Sequence, residues 1–111
     1  MLAMSDIFDK RQKGFEGKYH RDQEHEFRVQ SRRDKLFGLW LADQFGIIGD
    51  SAVNYASDVV ESNFEKPGDE DMLDKVRKDI DNKGSEITNE QLRSKLRELE
   101  TVAEKQIEEA V

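Results

Sequence analysis

The stretch Arg32-Arg33-Asp34-Lys35-Leu36-Phe37-Gly38-Leu39-Trp40-Leu41-Ala42-Asp43 decides the fold. At about 100° per residue, Leu36, Phe37, Leu39, Trp40 and Leu41 cover most of a helix's circumference. A helix apolar on nearly every side must be surrounded by other elements, so these five residues are expected to anchor a core. The other reading, a basic amphipathic helix on a membrane surface held by Trp40, requires a one-sided apolar stripe, which this block lacks. Residues 1–40 carry nine Lys/Arg against seven Asp/Glu, and residues 41–111 carry nine against eighteen, for a net charge of −7. A basic-spotted arm meets an acidic body.

With 111 residues the chain is one domain at most, near the lower limit for a self-sufficient core once an arm is set aside. A charged fraction of 39% against 35% hydrophobic suits a small polar bundle. There is no cysteine, hence no disulfide framework and no Cys-ligated zinc. Met1-Leu2-Ala3-Met4 gives way at once to Ser5-Asp6 without a signal-peptide core, and nowhere do 18 apolar residues run together. A cytoplasmic location without membrane insertion is the expectation. The acidic balance argues against nucleic acid as partner, although Arg28, Arg32, Arg33 and Lys35 form a local basic patch.

Downstream of the opening block everything reads as helix, with Pro67 the single proline. A first helix is expected over about 24–45, ending at Gly46, and a second over about 51–64, capped by Asp50 or Ser51, with Val53, Ala56, Val59, Val60 and Phe64 on one face. A third, about 69–82, opens on Asp69-Glu70-Asp71 against the positive end of its dipole and presents Met72, Leu73, Val76 and Ile80. The fourth, about 88–110, opens with a capping box in which Thr88 and Gln91 serve each other's backbone amides. Leu92, Leu96, Leu99, Val102, Ala103, Ile107 and Ala110 then follow at helical spacing. The fold class is all-α: a four-helix bundle over 24–111 with a flexible, partly helical arm over 1–23.

Chemistry-bearing motifs are sparse. Residues 79–90 come close to a calcium loop, with Asp79, Asp81, Gly84 and Glu90 at positions 1, 3, 6 and 12, but Lys83 stands where an oxygen ligand is needed. The same segment serves as a polar helix connection, with Gly84 closing one helix and Thr88 opening the next. His20 and His25 are five apart and do not share a helix face. No nucleophile–base arrangement or phosphate loop occurs, so no catalytic residue is assigned and no enzyme is expected. In the arm, Phe8, Phe15 and Tyr19 fall within about 40° of one another on a helix, a stripe suited to a partner's groove. Gly14 and Gly17 lie in the same stretch, and each costs about 1 kcal/mol of helix relative to Ala. The arm is thus expected to be frayed when free and helical when bound.

The run Phe8-Asp9-Lys10-Arg11-Gln12-Lys13-Gly14-Phe15-Glu16-Gly17-Lys18-Tyr19, then Asp22, Glu24, Phe27 and the opening block, resembles the zeta subunit of alphaproteobacterial F-type ATP synthase, an inhibitor of its ATPase activity. The similarity extends through Asn54–Val60, Asp71–Asp79, Asp81–Gly84 and the last helix. The resemblance implies a four-helix bundle with a mobile N-terminal segment that becomes a helix on entering a catalytic interface of the synthase head. Lodged between the α and β subunits near the γ shaft, it blocks rotation in the hydrolytic direction. By the same resemblance Phe8, Arg11, Phe15, Lys18, Tyr19, Asp22 and Glu24 form the inhibitory segment. The chain would be a free monomer, peripheral to the inner membrane through the synthase, without a cofactor. Some members of the family are suspected of binding adenine nucleotide in the bundle. Gly14, Gly17 and Gln12 depart from the family pattern, and the two glycines raise the cost of folding on binding by about 2 kcal/mol. The alternative is a helical module sensing calcium or adenine nucleotide without ATPase inhibition.

Overall fold

A computed structural model describes residues 14–64 and 68–110. Four helices follow in order: α1 (Gly14–Gln44), α2 (Gly49–Ser62), α3 (Glu70–Lys83) and α4 (Asn89–Ala110). Among the described residues there is no strand, as expected of an all-α bundle. α1 is the hub, packed against α2 and α4, while α3 rests on α2. The paired contacts Asp34–Asn63 with Phe45–Tyr55, Asn63–Asp69 with Tyr55–Asp79, and Arg33–Glu100 with Trp40–Lys95 make these neighbours antiparallel.

Phe37 and Leu41 of α1 are fully buried and join Val59 of α2, Met72, Val76 and Ile80 of α3, and Leu92 and Leu96 of α4 in one core. Trp40 is half-buried against this core, and Leu36 and Leu39 are half-buried on α1. Trp40 stacks on Phe37 with centroids 6.1 Å apart, and Lys95 Nζ of α4 lies 5.2 Å from the indole centroid. Within the opening block Phe37 and Leu41 hold α1 in the core, whereas Leu36 and Leu39 are only half-buried rather than enclosed.

Helix ends follow local chemistry. Gly46, at φ +77°, lets the Ile47 amide turn back to the Ala42 carbonyl at 2.8 Å, which closes α1. Gly84, at φ +68°, does the same for α3, with the Ser85 amide on the Ile80 carbonyl at 3.0 Å. At the start of α4, the Gln91 amide donates to Thr88 Oγ1 at 3.1 Å and the Thr88 amide to Gln91 Oε1 at 2.8 Å, a complete capping box.

Three expectations need correction. α1 begins at Gly14 rather than near residue 24. Once the Leu36–Leu41 block is fixed in the core no new nucleus is needed, and extending the helix upstream costs only residue propensity. α2 begins at Gly49 after Ile48 in an extended conformation, with no side-chain cap from Asp50 or Ser51, because the Gly46 turn delivers the chain directly into the helix. Val53 and Phe64 are 50% and 57% exposed rather than inward. The face of α2 turned to α1 is Ala56, Val59 and Asn63, and small side chains there let the helices approach closely. At Gly38 a β-carbon would lie 2.7 Å from the Cα of Ala56.

Candidate functional site

The segment expected to act lies on the upstream half of α1. Phe15, Lys18, Tyr19 and Asp22 fall within its first turns, and Glu24 is exposed on the same helix. Phe8 and Arg11 lie outside the described residues. Register links the two halves of α1: Phe15 and Tyr19 stand 18 residues ahead of Arg33 and Phe37, which is five whole turns at about 3.6 residues each. The helix line that enters the core downstream therefore carries the aromatic positions upstream. Phe27, at the junction, is 61% exposed and stacks on Phe64 with centroids 6.0 Å apart.

An ionic node fastens α1 to the other three helices immediately below this junction. Arg33 Nε donates to Asp34 Oδ1 at 3.0 Å, Nη2 to Asp69 Oδ1 at 2.7 Å, and Nη1 to Glu100 Oε1 at 3.3 Å. Asn63, at the end of α2, donates from Nδ2 to Asp34 Oδ2 at 2.8 Å and to Asp69 Oδ1 at 3.0 Å. Arg33, Asp34 and Asn63 are all buried. Burial disfavours the charge on Arg33, but the carboxylates of Asp34 and Asp69 outweigh it and hold its pKa above the ordinary value. For Asp34 burial dominates over the bonds from Asn63 and Arg33, so its pKa is raised. The node joins α1, the end of α2, the residue that precedes α3, and α4.

In sequence Arg33 belongs to a local basic patch, and Asp34 and Asn63 carry no assigned role; all three are buried in the structure. Periodicity held the signal: Asp34 lies three residues before Phe37 and seven before Leu41, and Asn63 lies four after Val59 and seven after Ala56, all on the core face. A charged or amide side chain at such positions needs buried partners.

Two clefts flank Arg33. One, of about 410 Å³, runs between Asp69, Leu73, Arg93 and Arg97; the other, of about 390 Å³, lies between His25, Val29, Gly68 and Glu104. Both mix charges of either sign, and neither gathers a nucleophile with a base. In the 79–90 segment, Asp79 Oδ2 accepts from Tyr55 Oη at 2.7 Å and from Lys75 Nζ at 2.9 Å, and Asn89 Oδ1 accepts from Arg77 Nη1 at 2.7 Å. Burial and then Asp79 push the Tyr55 phenol well above its ordinary value, so it remains a donor. This segment is a connection tied to α2 and α3. Among the described residues no helix is long and apolar enough to cross a membrane.

No curated protein gives a significant match. A solved structure described as a solution NMR structure is 38% identical and superimposes with a TM-score of 0.69, covering 78% of this chain and 98% of the other. A family model described as ATPase inhibitor subunit zeta matches residues 4–106, which span both the upstream segment and all but the end of α4. The chain belongs to the ATPase inhibitor subunit zeta family.

Proposed function

We propose that this chain inhibits ATP hydrolysis by F-type ATP synthase by inserting its N-terminal segment, as a helix, into a catalytic interface formed by the α and β subunits near γ. The observation that carries this reading is the continuity of α1 from Gly14 into a core-anchored block. A helix so held carries Phe15, Lys18, Tyr19, Asp22 and Glu24 at set positions along one axis, and part of its ordering cost is met by the bundle. Residues 1–23 act as the inhibitory arm and 24–111 as the bundle that carries it. Because α1 is continuous across residue 23, this division is one of function. In this reading the aromatics fill apolar pockets, the charges set orientation, and Phe8 and Arg11 extend the contact. The protein catalyses nothing, needs no cofactor, is monomeric when free, and is held at the cytoplasmic face of the inner membrane by its partner.

The test is ATP hydrolysis by membranes or catalytic heads from the source organism, with the purified chain added. Inhibition by the full chain that is lost on deleting residues 1–20 supports the reading. No inhibition at large excess sinks it, and inhibition surviving the deletion sinks the insertion mechanism.

A further inference from the structure

The basic patch of the sequence divides in two in the structure. Arg33 is withdrawn into the ionic node, while Arg28, Arg32 and Lys35 are exposed. Spacings of four and three put these three cations in one row along the outer face of α1. Among the described residues none of them is in an ion pair. Glu24, one turn ahead of Arg28, does not pair with it either. In a chain of net charge −7, a cationic row that has no ion pair among the described residues, on the helix that carries the arm, suits an acidic surface.

We propose that Arg28, Arg32 and Lys35 form a second docking surface for an acidic protein surface on the same partner that receives the arm, so this inference rests on the inhibitory reading. Continuity favours that occupant. Arg28 and Lys35 lie 14 and 21 residues along one helix from Gly14, about 21 and 32 Å at 1.5 Å per residue. The row lies on the face of α1 opposite the Phe15–Tyr19 line, and a catalytic interface that encloses the start of α1 between two subunits brings its own surface to that outer face too. Exposed charges of this kind speed encounter and fix register, and their contribution fades as salt rises.

The experiment compares the full chain, the reversal variant R28E/R32E/K35E, the milder R28Q/R32Q/K35Q, and a matched reversal of three exposed lysines elsewhere, K78E/K83E/K105E. Circular dichroism and Trp40 fluorescence check folding. Binding to catalytic heads is followed by co-sedimentation and inhibition by ATP hydrolysis, both over a range of salt. The expected result is a loss of binding of roughly tenfold or more at low salt for the row reversal, a smaller loss for the Gln variant, a near-normal matched variant, and convergence at high salt. Wild-type affinity in the row reversal, or an equal loss in the matched one, overturns the proposal. So does a row-dependent association with phosphatidylglycerol vesicles or with a second copy of the chain that accounts for the effect. Row-dependent binding without inhibition leaves this surface standing and overturns the inhibitory reading. No binding by the wild-type chain overturns both.

Discussion

Arg33 Nη2 donates to Asp69 Oδ1 at 2.7 Å, which ties the middle of α1 to the residue that precedes α3, 36 positions later in the chain. The same guanidinium pairs with Asp34, whose side chain is 1% exposed. Arg33→Met removes the cation and leaves the Asp34 carboxylate buried beside Asn63 alone. A loss of about 3–5 kcal/mol is expected, the usual result of breaking a buried pair from one side. Urea unfolding followed by Trp40 fluorescence measures it, and a loss below about 1 kcal/mol would show that the node is solvated.

Asp34 gives the fold a pH signature. Its folded pKa is raised above 3.8 by burial, so the folded chain holds that proton more tightly than the unfolded chain. Its contribution to stability is fully present below the unfolded value and is lost as pH rises through the folded value. Arg33 and Asp69 face it and are common to the wild type and the variant, so Asp34→Asn isolates the effect. The difference in unfolding free energy between the two chains should change in the variant's favour as pH rises from near 3.8, and a difference that is flat with pH would contradict this.

Gly38 sets the spacing of α1 and α2. Gly38→Ala gains up to about 1 kcal/mol in helix propensity, but its β-carbon would meet the Cα of Ala56 at 2.7 Å, and a backbone atom cannot swing aside. Overpacking of this kind costs about 1–3 kcal/mol, so the net effect is destabilisation. A higher melting temperature in the variant would show that the two helices separate freely.

The two upstream glycines limit the arm. Gly14→Ala with Gly17→Ala should raise helical ellipticity and, if the arm binds as helix, tighten inhibition by up to about thirtyfold, from about 1 kcal/mol per site. Tighter helix without tighter inhibition would mean that the bound arm is not helical at those positions.

Thr88→Ala removes the hydroxyl that accepts from the Gln91 amide at 3.1 Å. A loss of about 1 kcal/mol is expected, read as a lower urea midpoint at unchanged slope.

Short-range pattern carried most of the fold. Phe37 with Leu41, the Met72, Val76, Ile80 face and the Thr88–Gln91 box depend on residues within a turn or two of each other, and all three stand where the spacing puts them. The node was harder to read, because Arg33, Asn63, Asp69 and Glu100 meet only after four helices have packed. α1 also starts upstream of the position that propensity favours, since Gly14 and Gly17 are penalised, whereas an anchored helix extends through them without a new nucleus. Phe27 and Phe64 have the composition of core residues, yet they stack on each other at the surface. Nothing in their own stretches announced the other.

The five-turn correspondence of Phe15 and Tyr19 with Arg33 and Phe37 gives α1 one line that runs from the arm into the core. Downstream, this line of the helix is packed by the chain's own α2, α3 and α4; in the proposed mode of action, its upstream continuation is the part that a foreign protein takes up. Such an inhibitor would work as the first rod of a lattice whose remaining rods come from its target. Any force the target exerts on the arm would travel along α1 to the Arg33 crosslink, and the strength of that joint would set how much torque the blockade withstands.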